Sequence, residues 1–265
     1  MKKIFIPAVL LLAGLIVHPA AGGAVLADQA DFWAPYQGLL DRHLSPGVRE
    51  GIELTLVDYR GVKDDPGYAE MVRRLEALSL LTLKGGDAAF AFWINAYNFL
   101  AINLVVENYP VESIKDIGSI FRSVWKRPAG KIGGREYTLH EIEHEILREN
   151  FSEPRIHFAI VCASLSCPDL PGEVFLPGRL EEQLQKSTAG FIADPAKGLR
   201  VGGKEAKISR IFKWFEEDFA AAGGVWELLR RYRPGLEAEE EYELDYLPYN
   251  WSLNDRKPED RSGEM

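Results

Sequence analysis

The sequence predicts an α+β fold in which helices pack on a small, mostly antiparallel sheet. Apolar residues recur at helical spacing in 31–44, 66–82 and 179–192, and a further segment, 87–107, is apolar on nearly every side. Short runs rich in strand-forming residues stand between these helices without a regular strand–helix–strand repeat. That irregular order favours α+β over a doubly wound parallel sheet.

The N-terminus has the layout of a cleavable secretory signal. Lys2 and Lys3 precede an apolar run over 4–17, and small residues lead up to Ala27. We therefore expect a signal peptide over 1–27 and a periplasmic or secreted protein. The apolar run is short for a membrane span, so no stable insertion in a membrane is expected once the signal is cleaved.

The charge balance of the chain is acidic. It holds 40 Asp and Glu against 31 Lys and Arg, a net charge of −9, whereas phosphate backbones need clustered basic residues. We therefore expect no nucleic-acid partner and a small-molecule or peptide-like substrate, with the oligomeric state left open. The length suits one domain over 28–254, and the polar end over 255–265 predicts a disordered tail.

Local signals define the elements in the first half of the chain. The runs 52–59 and 131–137 have strand composition, and the second contains a Gly-Gly turn. Thr138 and Glu141 have the spacing of a capping box. A helix is therefore expected to begin at Thr138, to run to about Arg148 and to stop before the next proline.

The following segment, 155–162, is mostly apolar and predicts a short strand buried on both faces. His157 is its one strongly polar side chain beyond the leading arginine, so it needs a partner or a function. The rest of the chain predicts a helix over 179–192, short strands around Leu199 and Ala206 flanking a Gly-Gly turn, a helix capped by Ser209, a helix over 225–232 and a strand over 241–249.

The residues best suited to chemistry are concentrated in one stretch. Three of the five histidines and both cysteines fall within 140–167: His140, His144, His157, Cys162 and Cys167. A thiolate can attack an acyl carbon when an imidazole carries the proton and a carboxylate or amide orients the ring. Either cysteine can be the nucleophile, His157 or His144 the base, and Glu143 or Asn95 the orienting group. A regular strand would point His157 and Cys162 to opposite faces, so spacing does not choose among these pairings.

Two other chemistries fit the same stretch. His140, Glu141 and His144 match H-E-x-x-H, the arrangement in which two histidines hold zinc and the glutamate activates water. The capping box already occupies Glu141, and a helix N-terminus disfavours an adjacent cation. Alternatively, Cys162 and Cys167 form a disulfide in an oxidising compartment.

Three other polar residues have two interpretations each. Asn95 and Asn98 lie three residues apart on one face of an apolar helix. They either line a cleft or pin loops by bonding backbone groups, because an unpaired buried amide is costly. Arg155 holds a carboxylate, either from the protein or from a substrate.

The chain resembles a known family through six separated motifs within about 75–255: AFWINAYNFLAI, SIKDIG, YTLHEIEHEILR, PRIHFAIVCASLSCPDL, ISRIFKWFEEDF and YLPYNWSLND. These motifs are similar to those of the bacterial and plant proteins grouped as domain of unknown function 547. The resemblance implies a fold like that of papain- and transglutaminase-like cysteine hydrolases. It matches a glutamate–histidine pair to Glu143 and His144, a further histidine to His157, and the family's cysteines to Cys162 and Cys167. The family commonly has an acidic residue where this chain has His140, which counts further against zinc.

These observations lead to one principal hypothesis, an exported cysteine-dependent hydrolase or acyltransferase that acts on an amide. Its catalytic residues would be Cys162, His144, His157 and Glu143, and its substrate-binding residues Asn95, Asn98, Cys167 and Arg155, with no metal or cofactor. By analogy with related folds, the amide would be peptide-like or of the γ-glutamyl type. The alternatives are a non-enzymatic binding or scaffold domain whose histidines and cysteines are structural, and a zinc peptidase.

Overall fold

The computed structural model describes residues 29–80, 83, 85–119, 123–257 and 260. The predicted signal peptide lies outside the described residues. The α-helices are α1 (Gln29–His43), α2 (Tyr59–Asp64), α3 (Pro66–Glu76), α4 (Gly86–Asn108), α5 (Arg148–Asn150), α6 (Leu180–Ala193), α7 (Arg210–Trp214), α8 (Glu216–Ala221) and α9 (Val225–Tyr232). A π-helix (Glu141–Leu147) leads into α5, and short 3-10 helices span Ile114–Ile117, Val124–Lys126, Pro154–Phe158, Pro177–Arg179 and Glu239–Glu241.

The β-structure is divided among small sheets, and the α+β class is confirmed. The strands are β1 (Leu44–Arg49), β2 (Ile52–Val57), β3 (Pro128–Ile132), β4 (Arg135–Thr138), β5 (Leu199–Gly202), β6 (Glu205–Ile208) and β7 (Glu243–Tyr246). β1–β2 and β3–β4 are antiparallel hairpins, whereas β6 pairs antiparallel with β5 and parallel with β7. The small, mostly antiparallel character is as expected, but the described residues divide it among two hairpins and one three-stranded mixed sheet instead of a single sheet.

Helix α4 is the centre of the main hydrophobic core. Nearly all of its side chains from Ala89 to Val106 are buried, and α1, α3 and the segment around the cysteines pack against it. Within the described chain, α4 is also long and apolar enough to cross a membrane, but 94% of its most apolar window is buried inside the structure. Burial of that kind is what the central helix of a folded core requires.

The strand predicted over 155–162 is wrong. A 3-10 helix covers Pro154–Phe158, and turns and extended residues follow it. Pro154 stands at the first helical position, and the Glu153 carboxylate accepts a hydrogen bond from the Arg155 N–H. Both are helix-start features, and they outweigh the apolar composition of the segment.

A second hydrophobic core is built from the C-terminal third of the chain. It joins Phe158 to residues of α6, α7, α8, α9 and the three-stranded sheet. Because Phe158 directly follows His157 in the chain, the packing of this core holds the backbone at His157 in place. The predicted helices over 179–192 and 225–232 and the strands around Leu199 and Ala206 are confirmed. The helix that Ser209 caps ends at Trp214 and a second helix begins at Glu216, and strand β7 is shorter than the predicted 241–249.

The C-terminal segment pairs with the loop that carries the cysteines. Leu165 N–H donates to Ser252 O at 2.9 Å, and Asn254 N–H donates to Ala163 O at 3.1 Å. Asp255, the first residue of the predicted tail, is buried and accepts a hydrogen bond from Tyr109. The described part of the predicted tail is thus bonded to the domain.

Candidate functional site

A cavity of about 340 Å³ opens beside the cysteines, and most of its described lining is aromatic or aliphatic. The lining residues come from α4, the π-helix, the cysteine loop, α7 and the C-terminal segment: Tyr97, Trp125, Glu143, His144, His157, Ile160, Cys162, Cys167, Pro168, Ile211, Trp214, Phe215, Tyr249 and Trp251. The structure therefore brings together the four predicted catalytic residues and Cys167. Asn95, Asn98 and Arg155 lie outside this lining.

The two thiols lie next to each other and are not joined in a disulfide. Cys162 Sγ and Cys167 Sγ are 2.8 Å apart, and the Cys162 N–H donates to Cys167 Sγ at 2.8 Å. Cys162 is partly exposed, whereas Cys167 is 5% exposed. Both cysteines line the cavity, and Cys162 is the more accessible of the two residues.

Hydrogen bonds stabilise the thiolate form of Cys162. The hydrogen bond from the Cys167 thiol contributes most to lowering the pKa of Cys162, whereas burial acts to raise it. Hydrogen bonds from the Ser164 and Tyr249 hydroxyls, at 3.2 and 3.4 Å, and from the Ser164 N–H lower it further. Together they lower the pKa of Cys162 to about 7. Burial and the donated hydrogen bond raise the pKa of Cys167 well above its usual range, so Cys167 remains the proton donor.

The backbone after Cys162 has a sparsely populated conformation. Ala163 has φ 61°, in the left-handed region that is uncommon for a residue with a Cβ atom. Backbone bonds from Ala163 and Leu165 to the C-terminal segment hold it there. This turn directs the Ser164 N–H and hydroxyl at the Cys162 sulfur, so conformational strain is placed next to the reactive atom.

The π-helix places Glu143 and His144 on the same cavity wall. Thr138 Oγ1 accepts from the Glu141 N–H at 3.0 Å, and Glu141 Oε2 accepts from the Thr138 N–H at 2.8 Å, which confirms the capping box. The helix then widens to i→i+5 bonding over Glu141–Leu147. A π-helical segment turns less per residue than an α-helix, and two successive side chains can therefore border one cavity.

Glu143 is buried beside Cys162. Burial is the main cause that raises the pKa of this carboxyl to about 7, and negative charge on Cys162 raises it further. The hydrogen bond from the Tyr97 hydroxyl, at 3.3 Å, acts in the opposite direction. Glu143 makes no hydrogen bond to His144 among the described residues, so its predicted orienting role has no support in this geometry.

The two site histidines are joined through an arginine and an aspartate. Arg148 donates to His144 Nδ1 at 2.7 Å and forms a two-pronged ion pair with Asp218 at 2.6 and 2.7 Å. Asp218 also accepts from His157 Nε2 at 2.7 Å. Since Arg148 can only donate, His144 Nδ1 is an acceptor, and burial as the main cause lowers the pKa of His144 to about 4.

His157 has the environment of a neutral, oriented imidazole. It is 3% exposed and stacks on Phe215 with ring centroids 3.8 Å apart. Burial lowers its pKa, against the opposing effect of Asp218. With the proton on Nε2, Nδ1 carries a lone pair, and that buried atom has no hydrogen-bond partner among the described residues. The carboxylate that orients this ring is Asp218.

Asn95 and Asn98 support loops instead of facing the cavity, as the alternative interpretation predicted. Asn95 donates to Phe175 O and accepts from Phe175 N–H, both at 2.8 Å. Asn98 donates to Ala159 O at 2.9 Å and accepts from Val161 N–H at 2.8 Å. All four bonds join α4 to loop backbone, and those of Asn98 fix the residues just before Cys162.

Arg155 forms ion pairs within the protein. Its guanidinium bonds Glu153 at 2.5 Å and Glu181 at 2.8 Å, and these bonds raise its pKa. Of the two roles that the sequence allowed for Arg155, the structure shows the first, in which it holds carboxylates of the protein itself.

The H-E-x-x-H residues lack the geometry of a zinc site. The rings of His140 and His144 lie 4.4 Å apart, but Glu141 is bonded to Thr138 and Arg135. His144 Nδ1 is occupied by Arg148. Within the described chain, no group of three or more His, Cys, Asp or Glu side chains is arranged to hold a metal ion.

Four important residues were not identified from the sequence: Arg148, Ser164, Asp218 and Tyr249. All four belong to the motifs quoted above, and Arg148 follows His144 by one helical turn. Asp218 and Tyr249 are 61 and 87 residues from their partners His157 and Cys162. No local signal pairs residues at such distances.

One family model matches part of the chain. The family model described as "Protein of unknown function, DUF547" matches residues 81–192, which include α4, the π-helix and both cysteines. The match supports the resemblance found in the motifs; Asp218 and Tyr249 lie outside the matched residues. No curated protein and no solved structure matches the chain.

Proposed function

We propose that this protein is a cysteine-dependent hydrolase or acyltransferase that acts on an amide, with Cys162 as the nucleophile. The observation that carries the proposal is the Cys162 sulfur itself. It is partly exposed at a cavity of about 340 Å³, and the hydrogen bonds from Cys167, Ser164 and Tyr249 favour its thiolate. Thiolate character and access are the two conditions for cysteine reactivity.

The first chemical step needs an acid more than a base. A thiolate stabilised by hydrogen bonds attacks the carbonyl carbon directly, and the C–N bond then breaks only if the departing nitrogen receives a proton. Glu143, with its pKa raised to about 7, is partly protonated at neutral pH and borders the same cavity. An acid is most effective when its pKa lies near the working pH, so Glu143 is proposed as the proton donor.

The second step transfers the acyl group from sulfur to water or to another nucleophile. Glu143, having lost its proton, can accept one from the incoming molecule. His157 lines the cavity and its Nδ1 lone pair has no described partner, but that atom is buried, so His157 can accept this proton only after its side chain moves. This refines the base role predicted for His157, whereas Arg148 already occupies Nδ1 of His144.

The cavity wall supports an uncharged acyl group. Aromatic and aliphatic side chains dominate the described lining, and its acidic side chain, Glu143, is partly protonated. This favours an apolar or peptide-like amide over a γ-glutamyl substrate, whose charged end would find no lysine or arginine in the described lining. The predicted periplasmic or secreted location belongs to the proposal and rests on the N-terminal sequence.

Two alternatives predicted from the sequence have different support. A scaffold role is favoured by Asn95, Asn98 and Arg155, which all bond the protein itself. It does not explain an accessible, hydrogen-bonded thiolate beside an open cavity. The zinc peptidase is disfavoured because Glu141 and His144 are engaged within the protein.

The test is acylation of the purified protein by an aryl ester and the matching anilide of an apolar carboxylic acid. Intact mass and peptide mapping should show one acyl group on Cys162, and release of the aryl product should continue over many turnovers. Cys162→Ala should abolish both, while Cys167→Ser, the matched change at the neighbouring thiol, should still acylate at Cys162. Undiminished turnover by Cys162→Ala, or no adduct on Cys162 under conditions that acylate free cysteine, would overturn the proposal.

A further inference from the structure

The group that donates most strongly to Cys162 is a second sulfur, and acyl transfer does not require sulfur at that position. Any hydrogen-bond donor can stabilise a nucleophilic thiolate, as the Ser164 and Tyr249 hydroxyls also do. The second sulfur nevertheless lies 2.8 Å from the first. Since the structure leaves both thiols free, this proximity allows two-electron chemistry between them.

The surrounding fold keeps the two sulfurs together. Ser166 N–H donates to Asn250 O at 3.2 Å, and Asn250 N–H donates to Ser166 Oγ at 2.8 Å. With the bonds from Leu165 to Ser252 and from Asn254 to Ala163, they fasten the loop between the cysteines to the C-terminal segment. These bonds hold the loop that carries both cysteines, and the two sulfurs are already 2.8 Å apart, so the pair is placed to form a disulfide.

The two thiols also differ in exposure and in hydrogen-bonding role, as a reaction with one attacking and one resolving cysteine requires. Cys162 is partly exposed, whereas Cys167 is 5% exposed and donates a hydrogen bond to Cys162. Redox-active cysteines are accessible thiolates with a resolving cysteine beside them. The Ser164 and Tyr249 hydroxyls around Cys162 Sγ are placed to bond the oxygens of an incoming oxidant.

We propose that Cys162 and Cys167 form a dithiol couple that reduces organic hydroperoxides. The Cys162 thiolate attacks the outer peroxide oxygen, forming an S–O bond and breaking the O–O bond, and the departing alkoxide leaves as an alcohol with a proton from solvent, which replaces the one that Cys162 released on ionising. Cys167 sulfur then attacks the resulting sulfenic acid, an S–S bond forms, and hydroxide leaves with the Cys167 proton as water. The peroxide is thereby reduced and the two thiols are oxidised; an external dithiol restores both.

The cavity specifies the class of peroxide. Its wall near Cys162 contains Trp214, Tyr249 and Trp251, and the rings of Trp214 and Trp251 are stacked with centroids 5.7 Å apart. An aryl or alkyl hydroperoxide can bury its apolar group against these rings, which hydrogen peroxide cannot do. The reaction should therefore be faster with cumene hydroperoxide than with hydrogen peroxide.

The experiment treats the reduced protein with one equivalent of cumene hydroperoxide. Intact mass should show the loss of two hydrogen atoms, and a non-reducing peptide map should join Cys162 to Cys167. With dithiothreitol present, the protein should consume many equivalents of peroxide. Cys167→Ser should stop at a sulfenic acid that dimedone captures on Cys162, and Cys162→Ser should lose peroxide consumption.

Two results would overturn the dithiol couple. One is undiminished peroxide consumption by Cys162→Ser, and the other is oxidation of Cys162 no faster than that of free cysteine at the same pH. The ester acylation described above, run on the same preparation, separates the two proposals. Acylation without disulfide formation leaves only the acyl-transfer proposal standing, and disulfide formation without acylation leaves only the dithiol couple.

Discussion

Removing the Cys167 thiol is expected to raise the pKa of Cys162. The structure attributes the largest stabilisation of the Cys162 thiolate to the hydrogen bond from Cys167, ahead of those from Ser164 and Tyr249. A hydrogen bond to a charged group contributes about 1.5–3 kcal/mol, and one pKa unit corresponds to about 1.4 kcal/mol. Because water can partly replace the lost donor at this partly exposed sulfur, Cys167→Ala should raise the pKa of Cys162 by about one unit.

The assay is the pH dependence of Cys162 alkylation by iodoacetamide, followed by intact mass. A rise of one unit lowers the thiolate fraction near neutral pH from about one half to about one tenth, but a more basic thiolate is also more nucleophilic. The midpoint of the pH profile is therefore the readout, not the rate at one pH. Glu143→Gln should be present in both proteins, so that ionisation of that neighbouring carboxyl does not add a second inflection.

Cys167→Ser is the matched control for this measurement. Its hydroxyl can still donate to Cys162, so it should shift the midpoint less than Cys167→Ala. An unchanged midpoint in Cys167→Ala, or a shift downwards, would show that Cys167 is not the donor that stabilises the thiolate, and the assignment of Cys162 as the reactive sulfur would lose its basis.

Three further changes test other parts of the site. Glu143 has a folded pKa of about 7 against an ordinary value of 4.5, so the stability it costs accumulates as pH rises from 4.5 to 7 and is complete above 7; Glu143→Gln should stabilise the protein by about 2.5 kcal/mol more at pH 8 than at pH 5 in urea unfolding, and an equal effect at both pH values would contradict this. Asn98→Ala and Asn95→Ala should each destabilise by about 2–4 kcal/mol, but only Asn98→Ala should slow alkylation of Cys162; equal slowing by both would refute the loop argument. Ala163→Val should destabilise by about 2 kcal/mol because a β-branched side chain is strained at positive φ and crowded when buried, whereas Ala163→Gly should leave unfolding within about 1 kcal/mol of the unchanged protein; similar losses in both would contradict the strain.

The features that the sequence predicted correctly are those set by near neighbours. The capping box of Thr138 and Glu141 is formed by residues three apart, and the Gly-Gly hairpin and the Ser209 cap are equally local. The strand over 155–162 was wrong although its signals were also local. An apolar run cannot distinguish a strand from a short buried helix, and here Pro154 at the first helical position decided it.

The site could be predicted only as a set of residues. Glu143, His144, His157 and both cysteines do border one cavity, yet their partners depend on features that composition does not encode. One is the π-helix, which brings adjacent side chains to the same wall. The other is the tertiary fold, which brings Asp218 into contact with His157 and Tyr249 into contact with Cys162, residues far apart in the sequence. These contacts also reassigned the orienting role from Glu143 to Asp218.

The pKa values of the two site carboxylates, Asp218 and Glu143, are shifted in opposite directions, and this difference supports the roles proposed for them. Burial opposes ionisation of Asp218, but hydrogen bonds from His157 and Arg148 outweigh it and hold its pKa well below the usual range. Burial and the negative charge of Cys162 both raise the pKa of Glu143, and the hydrogen bond from Tyr97 only partly opposes them, so the pKa rises to about 7. A carboxylate that stays ionised can orient a histidine, and one that titrates near neutral pH can exchange a proton with the substrate. Exchanging these two environments would remove both functions. Asp218 would then be protonated and could not orient His157 as a carboxylate, and Glu143 would stay ionised and could not supply a proton.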